Sequence, residues 1–275
     1  MAPGQDDRPQ LANPSNRSFA GGTHNTWEPK SVMKKTMCKS LAWLTVLSAL
    51  ASSPSWADPA LGSLDIQFSV GSSNEQWTAP IVSIGNGWGV NDGTNNWGGA
   101  TLSWHNVGIN YDPYMSASVN VVNNTAFTQT YTLIFTMPIG SPILGGLLVG
   151  GSVGATFTDS NNSGIGSALS TAGPGTAMYY GRIDNVDVLP LLPDVTTLGV
   201  LFPGGSNSTN TSAGLPGPTI SEPGNANTSI GIKHEFTLTP GDSAGFTSFF
   251  IVEAPEPASL SLLAMGALVA VRRRR

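Results

Sequence analysis

Enzyme chemistry would have to come from few residues in this sequence, because beyond residue 57 it holds only two histidines, His105 and His234. A histidine base needs a nucleophile beside it and an acid that orients it. Both histidines fall in segments that predict strands, where such side chains are more often structural. Glycoside hydrolysis would need two carboxylates at one site, but Asp184 and Asp187 would point to opposite faces of a strand. We therefore expect that the protein is not an enzyme.

Oxygen ligands for a calcium ion could come from residues 85–99, a predicted loop that is rich in glycine and asparagine. Asn91, Asp92 and Asn95 are the candidates, since calcium prefers carboxylate and amide oxygens. The segment lacks the EF-hand spacing and a second acidic residue, and Asn or Asp beside Gly usually forms a turn. We expect no metal and no cofactor, with this calcium site as the alternative.

Tryptophans are concentrated in one stretch of the chain, at Trp77, Trp88, Trp97 and Trp104. Flat aromatic faces beside polar groups can bind sugars, but tryptophans also fill cores. Two interpretations remain open: core packing, or a glycan-contact surface that includes Trp88 and Trp97. We expect Trp97 to be the more exposed of these two, because it lies in the longest run of Asn and Gly.

Strands must position these side chains, because apolar and polar residues alternate along most of the chain from 58 to 254. Alternation places one face of a strand in a core and the other in water. Strands are predicted at 64–70, 81–84, 101–107, 117–122, 127–136, 149–157, 183–189, 198–202, 230–239 and 246–253. No segment of this part shows a convincing helical period. The sequence therefore predicts an all-β fold, a single β-sandwich or jelly-roll-like domain over residues 58–253.

Turn signals give the connections between these strands. Residues 240–243, Pro-Gly-Asp-Ser, predict a hairpin between the last two strands. Because the C-terminal segment follows directly, we expect the chain to leave directly from the edge of the sandwich. Residues 203–228 contain almost exclusively Pro, Gly, Asn, Ser and Thr and predict a long loop.

The charge of the predicted domain excludes one class of partner. Between residues 58 and 254, two basic residues, Arg182 and Lys233, stand against 13 acidic residues, a formal charge of −11. Affinity for a phosphate backbone comes mostly from Lys and Arg. We therefore expect no binding to nucleic acid.

The N-terminal segment carries an export signal. Residues 33–57 have a basic start, an apolar run that predicts a helix, and small residues before a cleavage site between Ala57 and Asp58. The expected partners are an export translocase and signal peptidase. Residues 1–32 are either a disordered leader or the product of a start codon placed before a true start at Met33.

The C-terminal segment 254–275 has three parts. They are the motif Pro255, Glu256 and Pro257, an uncharged stretch at 258–271, and the cluster Arg272, Arg273, Arg274 and Arg275. As a helix the stretch spans about 21 Å, short of the ~30 Å hydrocarbon core, but terminal arginines can snorkel to the interface. By the positive-inside rule the arginines stay cytoplasmic and the domain lies outside.

In this arrangement the segment resembles the PEP-CTERM sorting domain, which combines a Pro-Glu-Pro motif, a short membrane helix and a basic end. The resemblance implies recognition by an exosortase, transient anchoring in the inner membrane before processing, and an export route linked to exopolysaccharide and biofilm. It implies nothing about the chemistry of residues 58–253, because this sorting domain is attached to many unrelated domains.

We therefore expect an exported structural protein of the cell surface or extracellular matrix, with exopolysaccharide as a partner. Two alternatives remain. The first is a carbohydrate-binding β-sandwich module that uses the Trp-rich segment 77–104. The second is a secreted glycan hydrolase.

Overall fold

The computed structural model describes residues 62–85, 87–110, 113–193 and 196–254. These residues form strands and no helix, which confirms the all-β class. The predicted helices within 33–57 and 258–271 lie outside the described residues. Nothing in the described part of the chain is a helix long and apolar enough to cross a membrane.

Seventeen strands follow one another along the described chain. They are β1 (Ser63–Val70), β2 (Ser73–Pro80), β3 (Val82–Ile84), β4 (Gly87–Val90), β5 (Gly93–Trp97), β6 (Ala100–Asn110), β7 (Tyr114–Asn123), β8 (Gln129–Pro138), β9 (Leu147–Thr158), β10 (Ala168–Thr171), β11 (Ala177–Ile183), β12 (Val186–Pro193), β13 (Thr197–Gly199), β14 (Ser206–Ala213), β15 (Ile220–Glu222), β16 (Ser229–Leu238) and β17 (Ser243–Glu253).

The strands form two antiparallel sheets. The first sheet has the order β12-β11-β16-β8-β1-β2, with β10 paired to β16 and β13 paired to β10. The second sheet has the order β14-β9-β17-β7-β6-β4-β3, with β15 paired to β9 and β5 paired to β6. The long strands β8 and β16 pair along their whole length, from Gln129 opposite Leu238 to Pro138 opposite Ser229.

The core lies between the two sheets, because each long strand buries alternate side chains; β7, for example, buries every second residue. Phe246 of β17 stacks on His234 of β16 with ring centroids 4.6 Å apart, and on Phe236 at 4.9 Å. The Tyr179 hydroxyl of β11 donates a hydrogen bond to the Phe249 carbonyl of β17 at 2.8 Å. Burying each such aromatic side chain contributes about 1.5–3 kcal/mol. These contacts join the sheets face to face and confirm the predicted sandwich.

The turn at 240–243 corrects the predicted hairpin. The turn is present, with Gly241 at φ +71°, but β16 lies in the first sheet and β17 in the second. The two strands face each other across the core instead of pairing edge to edge. Alternation shows that each strand has one buried face. The same pattern is expected whether the next strand is hydrogen-bonded beside it in one sheet or packed opposite it in the other sheet.

The expected edge exit is also wrong. β17 pairs with β7 along one side and with β9 along the other, so it is an interior strand. The chain leaves the described part at Ala254, directly after this strand.

Residues 203–228 are not one long loop, which corrects a further prediction. β14 pairs with β9 over its whole length, from Ser206 opposite Thr158 to Ala213 opposite Gly151, and β15 pairs with the start of β9. β14 buries no side chain, so it has no hydrophobic alternation. Backbone hydrogen bonds to β9 hold it in place, which explains why the sequence pattern missed it.

Two other segments differ from the prediction in detail. Residues 85–99, expected as a loop, contain β4 and β5. The strand expected at 183–189 is instead the hairpin of β11 and β12, with Asp184 and Asn185 at positive φ between them. Polar residues in this hairpin and in β5 mask the alternation that would mark them as strands.

Candidate functional site

Three of the four tryptophans lie on neighbouring strands at one edge of the second sheet, Trp88 on β4, Trp97 on β5 and Trp104 on β6, and the fourth, Trp77, lies on β2 of the first sheet. Trp77 (β2) and Trp104 (β6) are paired, with ring centroids 5.9 Å apart and planes inclined at 41°. The Trp104 indole N–H donates to the Asn91 carbonyl at 3.0 Å. Trp104 also needs a glycine against its ring, because a Cβ added to Gly93 would lie 2.2 Å from it. The Trp104 ring is therefore firmly fixed.

A cleft of about 400 Å³ lies beside this pair, and we call it the tryptophan cleft. It is lined by Trp77, Thr78, Ala79, Pro80, Val90, Asn91, Thr94, Asn95 and Trp104. At its rim the Asn95 amide donates to the Glu75 carboxylate at 3.0 Å. The cleft combines an aromatic wall with amide and hydroxyl groups, and its size is within the usual range for small-ligand sites.

Trp88 and Trp97, the predicted glycan contacts, do not line this cleft. Both are half-buried and pack against the core. The expectation that Trp97 is the more exposed of the two stays a prediction, since both are half-buried. The indole nitrogen of Trp97 is buried and has no hydrogen-bond partner among the described residues. The Asn/Gly run around it forms strands β4 and β5, which hold the ring against the core.

The calcium candidates take part in separate interactions. The Asp92 carboxylate accepts a hydrogen bond from the Asn106 backbone N–H at 3.0 Å and lies 3.1 Å from His105 Nδ1. The hydrogen bond to His105 and then that to Asn106 lower the pKa of Asp92. The Asn91 backbone carbonyl accepts a hydrogen bond from the Trp104 indole N–H, and the Asn95 side-chain amide donates one to the Glu75 carboxylate. The part of the chain that the structure describes has no group of three or more His, Cys, Asp or Glu side chains suited to a metal. Calcium binding here stays a prediction.

His105 and His234 lie in strands β6 and β16, as predicted. His234 is fully buried in the core, where its Nε2 lies 2.9 Å from the Ser248 hydroxyl and its Nδ1 lies 3.3 Å from the Met178 carbonyl. Burial lowers the pKa of His234 to about 4. With Ser248 also buried, this His–Ser pair is closed to a substrate and bonds the two sheets together.

A serine motif that the strand pattern does not reveal lies in β9. Residues Gly150–Gly154 read Gly-Gly-Ser-Val-Gly, which matches the G-x-S-x-G pattern of a nucleophile elbow. An elbow needs a sharp strand-to-helix turn, but Ser152 lies inside a regular strand, paired with Phe249 and Ser212. The motif match is therefore a coincidence of composition.

Asp184 and Asp187 do not form one site either. Asp184 lies in the turn after β11, where its carboxylate accepts the backbone N–H groups of Asn227, Thr228 and Ser229. Burial alone would raise the pKa of Asp184, but these hydrogen bonds hold it well below its usual range. Asp187 instead forms ion pairs with the charged residues of the first sheet, Arg182 at 2.7 Å and Lys233 at 2.8 Å.

One buried carboxyl pair gave no signal in the sequence. Asp159 accepts the backbone N–H groups of Ser163, Gly164 and Gly204, while Asp242 accepts from the Thr239 hydroxyl. Burial, and then the charge of Asp159, raise the pKa of Asp242. The neighbouring Asp159 carboxylate thus favours the protonated form of Asp242, because two adjacent buried charges repel each other. The pair fastens the turn before β17 to the loop after β9.

Comparisons with known proteins identify the C-terminal segment alone. Residues 253–275 match the family profile described as the PEP-CTERM protein-sorting motif. The match begins at Glu253, the last residue of β17, and confirms the resemblance seen in Pro255, Glu256 and Pro257. No curated protein matches the chain.

Proposed function

We propose that this protein is exported, sorted through its C-terminal segment by an exosortase, and displayed as a structural protein of the cell surface or extracellular matrix. The observation that carries the proposal is the sorting motif at residues 253–275. The export signal at residues 33–57 agrees with it, since an exosortase substrate must first cross the inner membrane. Its partners along this route are the export translocase, signal peptidase and the exosortase, and exopolysaccharide is its partner after export.

The folded part supports a structural role. No carboxylate lines the tryptophan cleft or the furrow on the outer face of the second sheet between β14 and β6. Neither therefore offers the acid pair of a glycan hydrolase. The buried histidine is enclosed with its serine between the sheets. The proposal therefore assigns no catalytic activity to the domain.

Cell fractionation tests the proposal. Cells would produce either the full chain or a chain that ends after Ala254, each in a strain with its exosortase and in one without it. The full chain should mature and reach the surface or medium only when the exosortase is present, while the shortened chain should stay soluble in the periplasm. Identical processing and location of both chains in both strains would contradict the proposal.

Carbohydrate binding is the second candidate function. The observation that favours it is the tryptophan cleft, where the paired rings of Trp77 and Trp104 lie beside Asn91, Thr94 and Asn95. Gel electrophoresis through immobilised polysaccharide tests this function directly. Binding that is lost in Trp77→Ala but kept in Trp88→Ala would assign it to this cleft, whereas equal loss in both would point to general destabilisation.

A further inference from the structure

The outer face of the second sheet carries a furrow between β14 and β6, about 370 Å³ in volume, which we call the sheet furrow. It lies over two cross-strand rows of outward-facing residues, all of which line it except Ser103. One row runs His105–Ser118–Thr247–Gly154–Asn210, and the other runs Ser103–Asn120–Gly245–Thr156–Ser208. Five strands about 4.8 Å apart make each row about 20 Å long.

Two glycines, which have no side chain, leave the floor of the sheet furrow open at its middle. Gly154 lies in β9 and Gly245 in β17, each within a long interior strand. A glycine at such a position weakens a strand relative to alanine, so it calls for a reason.

Packing does not supply that reason. A Cβ added to Gly154 would find its nearest neighbours at 4.0 Å, and one added to Gly245 would find them at 3.9 Å, both ordinary distances. Neither glycine has a positive φ. By contrast, a Cβ on the strand glycine Gly181 would lie 2.3 Å from the Phe250 ring. The space above Gly154 and Gly245 is therefore open, and any larger side chain would fill it.

The lining of the sheet furrow combines polar side chains with the apolar residues Val119, Ala155 and Phe246, and no Asp, Glu, Lys or Arg belongs to it. His105, which lies 3.1 Å from Asp92, stands at its end. The side chains of Asn120, Asn210 and Thr247 face this space, and none of them has a side-chain hydrogen bond to another described residue. The first sheet differs, since Arg182 and Lys233 bind Asp187 there. The furrow thus offers hydroxyl and amide groups and no charge that would match a phosphate, a carboxylate or an ammonium group.

An aromatic pair lies on the same face of the sheet, close to the furrow. Phe249 follows Thr247 by two residues along β17, and its ring centroid is 5.6 Å from that of Tyr114. Sugars present apolar C–H faces as well as hydroxyl groups, so such a pair beside hydroxyl and amide groups suits a saccharide.

We infer that the sheet furrow binds an uncharged oligosaccharide chain, with Asn120, Asn210 and Thr247 hydrogen-bonded to its hydroxyl groups and Gly154 and Gly245 leaving room for its rings. The formal charge of −11 over residues 58–254 disfavours an acidic polysaccharide in the same place. The inference is independent of the export route and of the tryptophan cleft.

Gel electrophoresis of the purified full-length chain through immobilised polysaccharide tests it, with dextran, a β-glucan and a galactomannan as neutral probes and alginate as the acidic probe. We expect retardation by at least one neutral probe and none by alginate. Gly154→Thr should weaken the retardation about tenfold or more, because its side chain fills the furrow, while the melting temperature stays the same or rises. Gly173→Thr, outside the sheet furrow, is the control, since a Cβ there meets nothing within 4 Å.

Four results would overturn the inference. No retardation by any neutral probe, or retardation by alginate alone, would contradict the assigned chemistry. Binding that is lost in Trp77→Ala and kept in Gly154→Thr would move the site to the tryptophan cleft. A dimer in size-exclusion chromatography that Gly154→Thr dissociates would show that the furrow holds a second copy of the chain.

Discussion

The imidazole Nε2 of His234 lies 2.9 Å from the Ser248 hydroxyl and so joins β16 of the first sheet to β17 of the second. The Met178 carbonyl can only accept, so Nδ1 carries a proton and donates to it at 3.3 Å. In the neutral ring Nε2 then accepts a hydrogen bond from the Ser248 hydroxyl, for which the Ala117 carbonyl at 3.3 Å is the alternative acceptor. Protonation of Nε2 would turn the hydroxyl toward Ala117 and place a charge in the core, so burial favours the neutral histidine.

We expect the free energy of unfolding to decrease as the pH falls, through His234. Its pKa is about 4 in the folded protein and about 6.5 when unfolded, so the unfolded state binds the proton more tightly. The contribution is complete above about pH 6.5 and is lost toward pH 4, at about 1.4 kcal/mol per pH unit. Urea unfolding of the parent and His234→Gln across this range measures it. The two proteins share every other titrating group, so an equal pH dependence in both would refute the prediction.

Trp97 and Trp104 should respond differently to the same substitution. At Trp97, phenylalanine removes a buried indole N–H that has no partner in the described part of the chain. At Trp104 it removes a 3.0 Å hydrogen bond to the Asn91 carbonyl. Trp104→Phe should therefore cost about 1 kcal/mol more than Trp97→Phe. Thermal or urea unfolding of both variants gives the comparison, and a larger cost at Trp97 would show that its N–H is bonded in solution.

Gly181 and Gly154 form a second matched pair, because both lie inside strands. Gly181→Ala places a Cβ 2.3 Å from the Phe250 ring and should destabilise the protein by about 1–3 kcal/mol. Gly154→Ala meets no atom closer than 4.0 Å and should be neutral or stabilise the strand by up to about 1 kcal/mol. Equal melting temperatures for the two variants would contradict the packing around Phe250.

Glu256→Ala should leave an unprocessed protein in the membrane fraction, because it alters the sorting motif but not the arginines at 272–275. Replacing the four arginines with neutral residues should instead release an unprocessed, full-length chain, since each charge costs roughly 2.5–3.5 kcal/mol to move into the bilayer. Glu222→Ala, in β15 and outside the matched residues 253–275, is the control and should mature normally. Immunoblots of fractionated cells report the result. Normal maturation of all variants would mean that the segment is not a sorting signal.

Sequence alternation predicted the strands that bury one face, and the structure has them close to the expected positions at β1, β8, β16 and β17. It missed β14 because that strand buries no side chain. It also paired β16 with β17, since hydrophobic period alone does not tell a neighbour in a sheet from a strand across the core. Register and sheet order come from long-range packing that a local pattern does not contain.

The candidate sites, like the strands, could be predicted from the sequence only in part. The cluster of tryptophans could be seen in the sequence, but which rings meet depended on how the two sheets pack. Strand β2 of the first sheet and β6 of the second bring Trp77 to Trp104, and Trp88 does not line their cleft. The sheet furrow had no sequence signal, because it arises where Gly154 and Gly245 fall on adjacent strands. Its floor depends on the register of β9 and β17, which brings together residues that are far apart in the chain.

The interior position of β17 has a mechanical consequence for a protein held by its C-terminus. A pull on Ala254 acts along the axis of a strand that is bonded to β9 on one side and to β7 on the other. That geometry loads both ladders in shear, so many hydrogen bonds must fail together, whereas an edge strand could be peeled away one bond at a time. A pulling force on the domain would thus be shared by the hydrogen bonds in the middle of the second sheet, and the two sheets would stay packed together.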